Sequence, residues 1–163
     1  MTKKKPSTAP NSAEILAVNH LFIGWVGLFV FLSLGIVLEV LHGLKLGFYL
    51  DVDQSTRRLM WTLAHAHGTL FSLIHIGFAA TVSFASRRDM PGSVFRLPAR
   101  CLTGGLIFLP VGFFAGGLWT YGGDPGPAIF LVPVGALLML IAVAKVVNVV
   151  WSLKRSVPHP NSS

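Results

Sequence analysis

The chain has 163 residues, of which 53% are hydrophobic and only 12% are charged, and its mean hydropathy is +0.68. A soluble domain of this length could not bury so much apolar surface, so the composition predicts an integral membrane protein whose main partner is the lipid bilayer. The formal charge of +7 does not indicate nucleic-acid binding, because Lys and Arg stand at segment ends and form no basic stripe with interleaved aromatic residues.

The predicted elements begin with a basic, Pro- and Ser-rich tail at residues 1–18, which has little to bury and is expected to be disordered. Three polar interruptions divide the apolar sequence that follows. The remaining segments are each about 20 residues or longer, enough to cross a bilayer as a helix. These four spans lie near residues 19–42, 59–85, 101–120 and 128–151. Residues 19–152 therefore form one transmembrane domain, and residues 153–163 form a second disordered tail.

The basic residues that flank the spans predict their direction. Nine Lys and Arg lie on the side of the termini: Lys3, Lys4, Lys5, Arg87, Arg88, Arg96, Arg100, Lys154 and Arg155. Only three lie on the other side, namely Lys45, Arg57 and Arg58, so the positive-inside rule places both termini in the cytoplasm. The first apolar run is too long for a secretion signal and is expected to be retained. The sequence thus predicts an all-α, four-helix up-down bundle that crosses the cell inner membrane repeatedly.

Ionisable side chains within the spans are the candidate site, since their insertion into lipid is costly. Glu39 and His42 fall near the outer end of span one, and His65 and His67 fall in the outer half of span two. Four potential ligands therefore share one depth. Glu39 and His42 are three residues apart on one helix face, close enough to hydrogen-bond or for one to orient the other.

The three histidines of span two cannot form one compact site. Two residues of α-helix turn the chain by about 200°, so His65 and His67 cannot both point at one small centre. His75 lies about two turns deeper than His67 and should share a site with neither. At least one of His65 and His67 is expected to be a ligand or a proton carrier, whereas His20 and His42 are typical of interfacial or hydrogen-bonded histidines.

The type of cofactor follows from the number of ligands. A compact zinc site needs three or four converging ligands, and the sequence offers at most Glu39, His42 and one of the span-two pair. A large planar cofactor needs one axial imidazole and apolar walls. Two alternatives stay open: a cofactor-free structural or accessory subunit whose histidines hydrogen-bond between helices, and a proton carrier that uses Glu39 and His42.

The order of the four spans resembles the membrane family that contains styrene oxide isomerase and hydroxylaminobenzene mutase. The resemblance covers roughly residues 19–151 and lies in the sequences "NHLFIGWVGLFVF", "STRRLMWTLAHAHG", "ARCLTGGLIFLPVGFFAGGLW" and "AIFLVPVGALLMLIAVA". Its most specific element is an Ala-His pair in the outer half of span two. A His that opens span one and an Ala-Arg-x-Leu start to span three support it.

The resemblance implies a homotrimeric helical bundle in which an imidazole of span two binds haem b near the subunit interface. It implies an isomerase-like activity on a small apolar molecule, with ferric iron as a Lewis acid. By position the axial ligand is His65, because Gly68 follows at the spacing seen in the mutase; the repeated Ala-His leaves His67 as the other choice. Independently of the resemblance, Glu39 and His42 are expected to support the ligand because they share its depth and lie on one helix face. Phe71 and Phe114 stand where the family has Asn and Tyr, so haem binding is implied more strongly than epoxide isomerisation.

Overall fold

The computed structural model describes residues 11–156, so residues 1–10 and 157–163, which belong to the predicted tails at 1–18 and 153–163, lie outside the described residues. Its long helices are α1 (Ser12–Gly43), α3 (Ser55–Ser86), α4 (Arg96–Leu118) and α5 (Leu131–Ser156). Each of them, taken with any adjoining 3-10 turn, is long and apolar enough to cross a membrane. The four predicted spans are thus confirmed as helices of spanning length and composition.

Short elements connect the long helices. The connection after α1 contains α2 (Gly47–Leu50) and a 3-10 turn, Val52–Gln54. After α4 the chain forms a small hairpin in which β1 (Thr120–Tyr121) pairs antiparallel with β2 (Asp124–Pro125). Gly122 and Gly123 turn this hairpin with φ values of +59° and +94°, which glycine adopts without a steric cost. Further 3-10 turns precede α4 and α5, at Gly92–Phe95 and Pro127–Phe130.

The helix ends differ from the prediction. Helix α1 begins at Ser12, so residues 12–18, predicted to belong to the disordered tail, are helical. The side chain of Asn11 accepts a hydrogen bond from the backbone N–H of Ala13 at 3.4 Å and caps this helix. At the other end of the chain, α5 continues to Ser156 and includes the start of the predicted second tail. Helix α4 ends at Leu118, where the chain becomes extended and enters the hairpin.

Long helices that are consecutive in the chain pack against each other in antiparallel pairs: α1 on α3, α3 on α4, and α4 on α5. Contacting residues run in opposite order along each pair. Between α1 and α3, His20 meets His75 and Gly35 meets His65. Between α3 and α4, Trp61 meets Phe114 and Phe78 meets Phe95, and between α4 and α5, Gly105 meets Met139 and Gly112 meets Val132. The start of α1 and the last turns of α5 both lie beside the 87–95 connection. We call this the terminal end, and the opposite end, with α2 and the hairpin, the loop end.

Helices α3 and α4 form the centre of the bundle, whereas α1 and α5 are peripheral and bury a smaller share of their residues. Large apolar side chains on the peripheral helices are exposed, among them Phe29 (75%) on α1 and Leu140 (67%) on α5. An exposed apolar surface of this extent is typical of contact with lipid or with another protein chain.

Two arginines of α3 hold the loop end together. Arg57 donates from Nε to the carbonyl of Gly117 at 3.0 Å and from Nη1 to the carbonyl of Phe48 at 2.9 Å. Arg58 donates from Nη1 to the carbonyl of Leu50 at 2.7 Å. These carbonyls lie in or near the last turns of α4 and α2, where the helix leaves them without partners. Arg57 and Arg58, whose charges contribute to the predicted orientation, therefore also join α2, α3 and α4.

Candidate functional site

A cavity of about 590 Å³ lies between α1 and α3 towards the loop end. Its apolar wall is formed by Leu32, Gly35, Ile36 and Leu38 of α1. Its polar residues come from three helices: Glu39, His42, Tyr49, Thr62 and His65. Three of the four predicted site residues thus line one cavity, whereas His67 does not.

His65 is fixed against the backbone of α1. Its Nδ1 lies 2.7 Å from the carbonyl oxygen of Phe31. Because a carbonyl can only accept, Nδ1 carries the proton, and the lone pair of the neutral imidazole is on Nε2. Gly35 makes room for the ring, since a Cβ there would lie 2.8 Å from Nδ1 and 3.0 Å from Nε2. The interface therefore selects the tautomer in which Nε2 is unprotonated.

His67 faces the other side of α3, as the helical rotation between the two residues requires. Its Nδ1 lies 2.9 Å from the carbonyl oxygen of Leu63 in its own helix. The ring packs against Phe113 of α4, with centroids 5.2 Å apart, and meets Phe71 edge-on at 6.0 Å. His67 therefore belongs to the α3–α4 contact and has apolar aromatic neighbours.

Glu39 and His42 lie on the same wall of the cavity, and both are exposed. The hydrogen bond that their spacing suggested is not among the side-chain hydrogen bonds of residues 11–156, because neighbouring positions on a helix do not force two exposed side chains together. Tyr49, which the sequence does not predict as a site residue, is buried and stacks on Trp61 with centroids 6.1 Å apart. The only signal for it was an aromatic residue in the polar outer loop.

A histidine pair that the sequence does not predict lies deeper in the bundle. His20 and His75 are both buried, and their Nδ1 atoms lie 2.9 Å apart. The rings stack with centroids 4.8 Å apart and an interplanar angle of 18°, and Phe78 meets His20 edge-on. One Nδ1 donates and the other accepts, so the two rings use a single proton to join α1 to α3. His20, expected to be an interfacial or hydrogen-bonded histidine, is a buried residue that hydrogen-bonds His75.

Within the described ranges no three or more His, Cys, Asp or Glu side chains are close enough to hold a metal ion. Haem needs fewer protein ligands than a single metal ion, because one axial imidazole and an apolar pocket can hold it. His65 fits that requirement: its Nδ1 proton is held by a carbonyl, the usual arrangement behind a metal-binding Nε2, and it lies in a cavity with an apolar wall. Comparison with known proteins gives no relative from which a ligand could be inferred: no protein-family model, curated protein or solved structure matches this chain.

Proposed function

We propose that this chain is an integral membrane protein that binds haem b through Nε2 of His65. The observation that carries the proposal is the hydrogen bond of 2.7 Å from His65 Nδ1 to the Phe31 carbonyl, which leaves Nε2 unprotonated beside the cavity. The absorbance spectrum of the purified protein tests it, since haem bound to an imidazole gives a strong Soret band.

The residues around His65 have separate tasks in this proposal. The Phe31 carbonyl fixes the tautomer and raises the basicity of the ring, as hydrogen-bond partners of metal-binding histidines do. Gly35 provides space for the ring, while Leu32 and Ile36 supply apolar contact area. Bound haem would supply a Lewis-acidic iron.

The resemblance to the isomerase and mutase family extends the proposal to the rearrangement of a small apolar molecule by a homotrimer. Phe71 and Phe114, which stand where the family has polar substrate contacts, do not line the His65 cavity. Tyr49 and Thr62 do line it and can hydrogen-bond a polar atom of a substrate. The exposed apolar surface of α1 supports both entry of a substrate from the lipid and association of copies.

Both termini are proposed to be cytoplasmic, because in the sequence nine of the basic residues that flank the spans stand on the side of the termini and three stand on the other side. A reporter active only in the cytoplasm should therefore work when fused after Ser163. A reporter active only in the periplasm should work when inserted within 122–127. Periplasmic activity at the C-terminus would contradict the orientation.

Glu39→Gln and His42→Ala should each weaken haem binding without abolishing it. Both side chains line the cavity, but neither is fixed by a hydrogen bond like that of His65, so we expect them to support the haem ligand without being ligands themselves. Loss of such a supporting residue typically lowers the affinity of the protein for the metal group by about 10- to 100-fold. Titration of haem into the apoprotein measures this. Complete loss of haem from folded Glu39→Gln protein would instead assign the carboxylate as a ligand.

A cofactor-free structural subunit is the second candidate. It is favoured by the observation that His65, His67 and His75 each already have a hydrogen-bonding partner within the bundle. In that case the imidazoles of His65 and His75 join α3 to α1, and that of His67 is paired within α3. Lipid offers no water to pair with polar groups, so unpaired ones are costly there. Purified protein without a Soret band, from cells well supplied with haem, would favour this function over haem binding.

A further inference from the structure

We propose that a groove between α1 and α4 at the terminal end binds an anionic phospholipid, with the headgroup phosphate at Arg96 and Arg100 and an acyl chain deeper in the groove. This groove, which we call the lipid groove, has a volume of about 500 Å³. It shares no lining residue with the His65 cavity. The inference therefore does not rest on haem binding.

The mouth of the lipid groove is basic. Arg96 and Arg100 lie one turn apart on α4, both are exposed, and both line the groove. No acidic side chain is among the residues that line it. Two guanidinium groups on one helix face are suited to a phosphate, because each can donate two parallel hydrogen bonds to its oxygens.

Apart from Leu16 near the start of α1, the lining residues become less polar from the mouth of the lipid groove inwards. Asn19 and Thr103 follow the arginines, and Ile23 of α1 and Ile107 of α4 line the apolar part beyond them. Such a gradient matches a molecule with a charged head and a hydrocarbon chain. A free phosphate or a small acid would leave the apolar part uncovered and gain nothing from it.

His20 gives the groove a fixed polar group in its wall. Its side chain is only 3% exposed, yet it lines the groove. Because Nδ1 is engaged with His75, Nε2 is the ring nitrogen left for a ligand at the boundary between the polar and apolar parts. A lipid ester or glycerol oxygen lies at that depth when the phosphate is at the mouth.

The exposed apolar side chains beside the groove also favour a phospholipid as its occupant. Leu97 of α4 and Phe22 of α1, which are next in the chain to the lining residues Arg96 and Ile23, are large apolar side chains exposed at 51% and 69%. The groove therefore opens towards the lipid phase. Basic pockets between transmembrane helices on the cytoplasmic side are known to hold anionic headgroups, which matches the proposed orientation.

Native mass spectrometry of the full chain, released from bilayers containing equal phosphatidylglycerol and phosphatidylethanolamine, tests the proposal. The unmodified protein should retain phosphatidylglycerol in preference to phosphatidylethanolamine. The double variant Arg96→Gln/Arg100→Gln should lose this retention by about tenfold or more, because two charge-assisted contacts are removed. The matched control is Arg87→Gln/Arg155→Gln, which removes the same charge at the same end from residues outside the groove.

Three results would contradict the proposal. Equal losses in the variant and its control would show that only the general charge of the surface attracts the lipid. Displacement of phosphatidylglycerol by an equal concentration of glycerol phosphate, which has the headgroup without the chains, would show a simple phosphate site. A third variant, Ile107→Gln, should reduce retention through the apolar part alone; unchanged retention would contradict the placement of the chain. The Soret absorbance of all these proteins should match the unmodified protein, so failure here is distinguishable from failure of haem binding.

Discussion

Replacing His65 with alanine should remove haem from the protein, whereas His67→Ala should leave most of it bound. His65 is the histidine whose Nε2 is free at the cavity between α1 and α3, and the alanine variant offers no other imidazole there except His42 on the exposed face of α1. His67 is directed at Phe113 on the far side of α3 and so serves as the matched control. Soret absorbance per protein, measured on both purified variants, decides between them.

His75→Ala completes this series as a test of structure. It removes the partner of His20 and leaves a buried ring nitrogen unpaired, which typically costs about 1–3 kcal/mol of stability. The haem content should stay high while the melting temperature in detergent falls. Loss of haem in His67→Ala alone would place the ligand on the α4 side. If no variant loses haem, the histidines serve only to join helices.

Gly135→Ala should strongly destabilise the protein by forcing α4 and α5 apart. A Cβ at Gly135 would lie 2.5 Å from the backbone nitrogen of Leu109 and 2.7 Å from its Cβ. Neither atom can move aside as the tip of a long side chain could, so the two helix backbones must separate. Overpacking of this kind costs about 1–3 kcal/mol. Thermal unfolding in detergent, followed by circular dichroism, should show a clearly lower midpoint.

Gly77→Ala is the control for that substitution. Gly77 also lies inside a long helix, but a Cβ there would meet nothing within 4 Å. Alanine is favoured over glycine in a helix by about 0.5–1 kcal/mol, so this variant should be as stable as the unmodified protein or slightly more stable. Equal midpoints for Gly77→Ala and Gly135→Ala would mean that α4 and α5 do not approach as closely as described.

Hydropathy predicted the four long helices but not their ends. Apolar composition identifies only the part of each helix that lipid could cover. Ser12 and Glu14 are polar and lie before that part of α1, so hydropathy does not predict that they are helical. Their helical conformation depends on the cap at Asn11 and on burial of Ala13 and Ala17, which needs the partner segment around Gly92. Tertiary contacts, rather than local composition, therefore extend α1.

The sequence predicts the geometry of the candidate site only where that geometry depends on a single helix. The divergence of His65 and His67 follows from the helical period of α3 alone. Pairing of His20 with His75, and of His65 with the Phe31 carbonyl, depends on how far α1 is shifted along α3, which no single segment encodes. Tyr49 reaches the cavity because Arg57 and Arg58 hold α2 to the start of α3, and this too is a contact between separate segments.

The absorbance spectrum of the full-length protein tests the central proposal most directly. The protein should be produced in cells supplied with a haem precursor, purified in mild detergent, and measured in oxidised and reduced form. We predict a Soret band that shifts on reduction, with about one haem per chain by extraction, as expected for a single axial site. Colourless, folded protein that also fails to bind added haem would contradict the assignment of His65 as a haem ligand.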